Sequence, residues 1–195
     1  MDIISELNGK RILIWGYGRE GKATEHFLQR CVKPASVDIF EGKKEEIDED
    51  DYDFIIKSPG IVMNEENPKY TSETELFLQQ FRDQVIGITG TKGKSTTSAM
   101  LYTVLKACSG RPVLLLGNIG QPCLDYFEEV TEDTIIVYEM SCHQLAHTNV
   151  SPHIAIFLNL YEEHLDYYGT VEKYFEAKSH IAAYQKSGDY FFVGE

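Results

Sequence analysis

Two stretches of this chain follow the same order: an apolar run breaks into a glycine loop, and a helical pattern opens at once. The first is "RILIWGYGREG", Arg11 to Gly21; the second is "VIGITGTKGKSTT", Val85 to Thr97. A strand covered on both faces reads as a continuous apolar run, and such strands belong to parallel sheets joined through helices. The runs "SVDIF", "DFIIKS", "RPVLLLGN", "TIIVYE", "HIAIFLNL" and "DYFFVGE" extend the pattern. Ser72, with Glu75 three residues on, predicts a capped helix start that runs through Phe81. The expected fold is therefore α/β, with a Rossmann-like domain over 1–84 and a P-loop parallel-sheet domain over 85–195. The boundary is expected near Arg82 to Gln84, where the order restarts. The chain stops just after a strand pattern, whereas a parallel sheet needs cover on both faces, so the second domain is expected to be incomplete.

Charge and cysteine content narrow the partners. The formal net charge of -13 argues against nucleic acid and anionic membranes, and much of the excess lies in "EGKKEEIDEDDYD", read as a solvated face. No apolar run is long enough to cross a bilayer, and the N-terminus lacks a signal-peptide layout. Cys31, Cys108, Cys123 and Cys142 show no C-x-x-C pair and read as reduced thiols of a cytoplasmic protein. Cys142 beside His143 lacks an orienting third group, which disfavours a nucleophile–base pair.

In an acidic chain, anions bind where backbone amides and a few lysines converge. Gly16, Gly18 and Gly21 make G-x-G-x-x-G between strand and helix, the arrangement that admits a phosphate to a helix N-terminus. Glu41 can supply the acid expected after the next strand, with Asp38 the weaker candidate. The alternative is that these glycines only let strand and helix pack closely. Arg19 and Glu20, inside the loop, point away from plain NAD. In the second loop, Gly93-Lys94-Ser95 resembles a P-loop, although Ile88 stands where the first glycine belongs and Gly90 sits three before Gly93. Its amides would cradle phosphates, Lys94 would reach the outer ones, and Ser95 would meet Mg²⁺.

Glu139 closes an apolar strand where a phosphate-bound Mg²⁺ needs a carboxylate; the alternative is an acid that marks the solvent edge of the strand. Glu162, Glu163, His164 and Asp166 follow another strand, on the edge where open α/β sheets bind ligands. Lys178 is out of place. In "TVEKYFEAKSHIAAY", Val171, Tyr174, Lys178 and Ile181 form one helical stripe, and an ammonium there must snorkel, pair or lose its charge.

The stretches "GTKGKSTT", "GNIG", "YEMSCHQL", "LNLYEEHLDYYG" and "YFEAKSHI", with "KSPGI" and "TELFLQQF" before them, resemble the ATP-dependent Mur ligases of peptidoglycan synthesis. The pattern is nearest to members adding D-glutamate to UDP-N-acetylmuramoyl-L-alanine. The resemblance implies a cytoplasmic, monomeric ligase that forms an amide through an acyl phosphate. It implies ATP on Gly90, Thr91, Lys92, Gly93, Lys94, Ser95 and Thr96, and Mg²⁺ on Ser95, Glu139, His164 and a carbamylated Lys178. Lys94, Asn118, His164 and Lys178 would be catalytic. Asn118, Ser141 and Gln144 would face the muramoyl peptide, and Gly18, Arg19, Glu20, Glu41 and Ser58 the uridine diphosphate. Lys92 departs from the family's more frequent Asn, and "GREG" from its more apolar loop. The family's third domain is not in this sequence, so the chain alone is not expected to turn over. The alternatives are a folylpolyglutamate-synthetase-like ligase, which needs no uridine site, and a P-loop phosphohydrolase or nucleotide-binding module.

Overall fold

The computed structural model describes residues 2–61, 67–163 and 165–194. Ile12 to Trp15 are buried, as a strand covered on both faces requires, and they lie in β1 (Arg11–Trp15). β1 pairs in parallel with β2 (Ser36–Phe40) and β3 (Phe54–Lys57), and β4 (Tyr70–Thr71) completes a sheet of order β2-β1-β3-β4. Helices α1 (Ile3–Leu7), α2 (Arg19–Cys31) and α3 (Glu73–Phe81) accompany it. Ser72 Oγ accepts from Glu75 N at 3.1 Å, so the predicted cap opens α3. Gly21 must be glycine for packing: a Cβ there would stand 2.2 Å from Gly16 O.

In the second half, β5 (Val85–Thr89) runs through the glycine loop into α4 (Lys94–Cys108). β6 (Val113–Gly117), β7 (Ile135–Glu139), β8 (Ile154–Phe157) and β9 (Tyr190–Val193) join it in a five-stranded parallel sheet, order β6-β7-β5-β8-β9. Two one-turn helices, α5 (Cys142–Leu145) and α6 (Leu165–Tyr168), follow β7 and β8; α7 (Val171–Ala183) is capped by Thr170. In each sheet the glycine-loop strand has a neighbour from a later crossover on either side. The loop therefore leaves from a switch point, where such sheets bind ligands.

The chain divides into two units. One is Met1–Gln80 with Pro122–Phe127; the other is Phe81–Gln121 with Glu128–Glu195. The excursion Pro122–Phe127 lies outside the expected 1–84 range, and contacts distant in sequence explain it. Leu124 N donates to Glu73 Oε1 at 2.9 Å, Phe127 packs on Phe27 with centroids 4.7 Å apart, and Arg30 reaches Asp125 O. Among the described residues no helix is long and apolar enough to cross a membrane, and none of the four cysteines is in a disulfide.

Glu73 is 2% exposed, and burial, with the charge of Glu20 nearby, raises its carboxyl well above the usual carboxylate range. The folded protein keeps this proton while the unfolded chain releases it near 4.5, so stability should fall as pH climbs from there toward the raised value. Glu73→Gln keeps the acceptor for Leu124 N and removes the proton. Thermal melts between pH 5 and pH 8 should show a drop for the native chain that the variant lacks; parallel curves would refute the assignment.

Candidate active site

At the end of β5 the backbone needs conformations that only glycine adopts readily. Gly90 has φ +151°, with a virtual Cβ 3.0 Å from Leu158 Cβ, and Gly93 caps α4 at φ +84°. The first amides of a helix have no acceptor within it. In α4 the first turn closes with Thr97 N on Gly93 O at 2.9 Å, which leaves the N–H groups of Lys94, Ser95 and Thr96 facing forward as an anion cradle. Ser95 and Thr96 are exposed in the first turn of α4. Lys94 folds over this loop, its Nζ 2.9 Å from Gly90 O and 3.1 Å from Thr91 O.

Lys178 does not snorkel. Tyr174, Ala177, Lys178 and Ile181 are the buried residues of α7, and Lys178 is only 1% exposed. Its Nζ donates to Gly90 O at 2.9 Å and lies 4.8 Å from the Tyr174 ring centroid. Burial pushes its pKa down to about 8; Lys94 adds to that shift, while Cys142 and Glu163 oppose it.

Glu139, 1% exposed, ends β7 beside the loop strand. Its Oε1 accepts from Asn118 Nδ2 at 2.8 Å, and Asn118 N donates to Glu139 O at 3.0 Å. Its Oε2 is buried without a hydrogen-bond partner among the described residues. A buried carboxylate oxygen lacking a donor is costly, and a hard divalent cation satisfies it. The fit is a one-carboxylate fit: among the described residues no three His, Cys, Asp or Glu gather as a metal cluster. His164 lies outside the described residues. Ser141 and Gln144 cap α5 reciprocally, Gln144 N to Ser141 Oγ at 3.2 Å and Ser141 N to Gln144 Oε1 at 3.0 Å. That use was not foreseen for either residue.

In the first unit, Gly16 has φ +90° and accepts from Ser58 Oγ at 2.9 Å. Gly18 is the N-cap of α2, and a Cβ there would meet nothing within 4 Å, leaving room for a ligand to approach the backbone. Arg19 is exposed and Glu20 half-buried in the first turn; Glu41 is exposed just past β2, whereas Asp38 lies within β2 opposite Leu13. Glu20 and Ser58 share a small cavity with Lys57 and Glu73, neither of which motif reading picked out. Lys57 is 3% exposed, donates to Ile61 O at 3.2 Å, and is pushed down to about 8 by burial, with Glu20 opposing. The available signal was a lysine closing the apolar run "DFIIK".

The sequence pattern of the Mur ligase middle domain matches residues 88–194. The chain belongs to the Mur ligase family. It is 37% identical to a UDP-N-acetylmuramoylalanine--D-glutamate ligase of Clostridium kluyveri, over 83% of this chain and 37% of that protein. It is 33% identical to the enzyme of that name from Streptococcus pyogenes, over 99% of this chain and 49% of that protein. The chain thus spans less than half the length of these relatives. Among solved structures, a UDP-N-acetylmuramate:L-alanyl-gamma-D-glutamyl-meso-diaminopimelate ligase from Neisseria meningitides matches with TM-score 0.57 at 17% identity, covering 94% of this chain and 71% of that one. A MurF ligase from Thermotoga maritima in complex with ADP matches with TM-score 0.50 at 21% identity, covering 97% of this chain and 44% of that one. These two likenesses carry the fold.

Gly93→Ala isolates the backbone requirement of the Mur ligase loop, because the new Cβ would approach only Leu158 Cδ1, at 3.7 Å. The expected destabilisation is about 1–2 kcal/mol from the left-handed conformation alone, measured by urea unfolding. A variant as stable as the native chain would show that the cap adopts another conformation.

Proposed function

We propose that this chain is the part of an ATP-dependent amide-forming ligase of peptidoglycan precursor synthesis that takes ATP on its second unit and a UDP-muramoyl substrate on its first. The acceptor is UDP-N-acetylmuramoyl-L-alanine and the incoming amino acid D-glutamate, in keeping with the relatives' names. One observation carries the reading: a fully buried lysine, Lys178, donates to the carbonyl of the first glycine of a phosphate loop. Most lysines take their heads to water, and Lys178 instead turns its head to the loop between β5 and α4.

In this reading Lys178 reacts as the neutral amine with CO₂, its nitrogen forming the N–C bond and releasing a proton, and the carbamate with Glu139, Ser95 and His164 would hold Mg²⁺. Mg²⁺, when bound there, supplies charge neutralisation for the nucleotide phosphates. The amides of residues 94–96 bind the phosphates, and Lys94 leaves the carbonyls of Gly90 and Thr91 to reach them. The substrate carboxylate attacks the outermost phosphorus of ATP and the bond to the bridging oxygen breaks, giving an acyl phosphate and ADP; the amine then attacks its carbonyl carbon, phosphate departs, and the nitrogen loses a proton. Asn118, held against Glu139, orients the reacting carboxylate, and the reciprocal cap of Ser141 and Gln144 supports the turn behind it. In the first unit Gly18, Arg19, Glu20, Glu41 and Ser58 line the place for the uridine diphosphate.

Two measurements test this. In the full-length gene product, Lys178→Ala should lose most ligase activity, with partial return on adding acetate as a replacement carboxylate. Undiminished activity would remove Lys178 from the mechanism. Calorimetry of the chain with UDP or UDP-N-acetylmuramoyl-L-alanine should show binding that Gly18→Val abolishes. If neither ligand binds, the uridine site is wrong and a folylpolyglutamate-synthetase-like ligase becomes the better account.

A further inference from the structure

The phosphate loop is tied to the segment after β8 by a set of hydrogen bonds centred on Asn159. Thr91 N donates to Asn159 O at 3.0 Å. Lys92 N donates to Asn159 Oδ1 at 2.8 Å, and Asn159 Nδ2 donates back to Lys92 O at 3.0 Å. One carboxamide thus takes both polar groups of one loop residue, imitating the pairing of two strands beyond the end of the sheet. Gly90 makes room for it: a side chain there would crowd Leu158 and the Asn159 backbone. Around the clamp, Tyr161 N donates to Thr91 Oγ1 at 2.9 Å, which also lies 3.3 Å from the Tyr174 hydroxyl, and Lys92 pairs with Glu163.

We infer that Asn159 is a positioning residue that holds the phosphate loop open for nucleotide and makes it one body with the segment carrying Tyr161 and Glu163. The clamp divides the loop amides into two sets. Those of Thr91 and Lys92 are already taken by Asn159, so phosphate binding falls to the forward amides at the start of α4. It also demands a carboxamide at this position, because aspartate cannot donate to Lys92 O and a shorter side chain cannot reach it. Lys92, with its backbone held and its ammonium on Glu163, is kept away from the cradle until a more strongly charged partner arrives. The inference rests on the reading of residues 90–96 as a nucleotide phosphate loop, and the test separates the two.

Calorimetry with Mg·ADP on the native chain examines the underlying reading, and absence of binding would overturn both. If ADP binds, Asn159→Ala should weaken it about ten- to a hundredfold, the scale of two lost hydrogen bonds, and Asn159→Asp, which keeps the acceptor for Lys92 N and loses only the donor to Lys92 O, about three- to tenfold. In the full-length gene product these variants should raise the KM for ATP while leaving the KM for the UDP-linked substrate unchanged. ADP affinity within twofold of native, or the two KM values rising together with a lowered melting temperature, would overturn the positioning role. Hydrogen exchange on the native chain needs no variant to fold. Without nucleotide, the amides of Thr91 and Lys92 should be protected and those of residues 94–96 should exchange fast, becoming protected only with ADP. Uniformly fast exchange across the loop would contradict the clamp.

Discussion

A single carbonyl oxygen organises the second unit. Gly90 O accepts from Lys94 Nζ and from Lys178 Nζ, each at 2.9 Å. Two ammonium groups on one acceptor repel each other, and one of them is buried, where an unpaired charge is costly. Such a pair is stable when one amine is neutral or when an anion stands between them. Both remedies suit the phosphates and CO₂ of the proposed function. Glu139 Oε2, buried without a hydrogen-bond partner among the described residues, is the complementary defect. Together they describe a site whose electrostatics are completed by what it binds.

The backbone makes this possible. Parallel strands deliver their C-terminal ends to one edge, so Thr89, Glu139 and Gly117 arrive there in register; Ile88 lies opposite Glu139, and so, on the other side of β7, does Gly117. Glycines then let the chain leave the edge at angles that a Cβ would forbid. The same device serves the first unit, where Gly16 and Gly21 bring β1 and α2 close and Gly18 stays open. The two loops differ in what surrounds them. Two lysines and a carboxylate crowd the second, while a serine, a glutamate and a buried lysine flank the first.

Much of the fold was legible because its long elements carry strong local signals. Aliphatic runs bounded by glycine marked the strands β1, β5 and β6, an aliphatic run closing on Glu139 marked β7, and the helical stripe through Tyr174 and Ile181 marked α7. β4, α5 and α6 were not legible, since two to four residues cannot establish a period. Nor was the excursion Pro122–Phe127, which depends on contacts with Phe27 and Glu73 far away in sequence. In the candidate site the residues with unusual chemistry stood out: Lys94 after glycine, Glu139 ending an apolar strand, Lys178 inside a stripe. Asn159 did not, because it fell inside the apolar run "HIAIFLNL", read as strand, whereas β8 ends at Phe157 and its carboxamide's partner lies 67 residues earlier. Ser141 and Gln144 were noticed for their motif, yet their capping geometry appears only once α5 is seen.

In the proposed function Lys178 is an amine held ready for CO₂ and turned into an acid. Carbon-13 NMR of the protein in ¹³C-bicarbonate with Mg·ADP tests it directly. A carbamate resonance present in the native chain and absent in Lys178→Met is the predicted result. A spectrum showing only bicarbonate and dissolved CO₂, with nucleotide bound, would contradict the account.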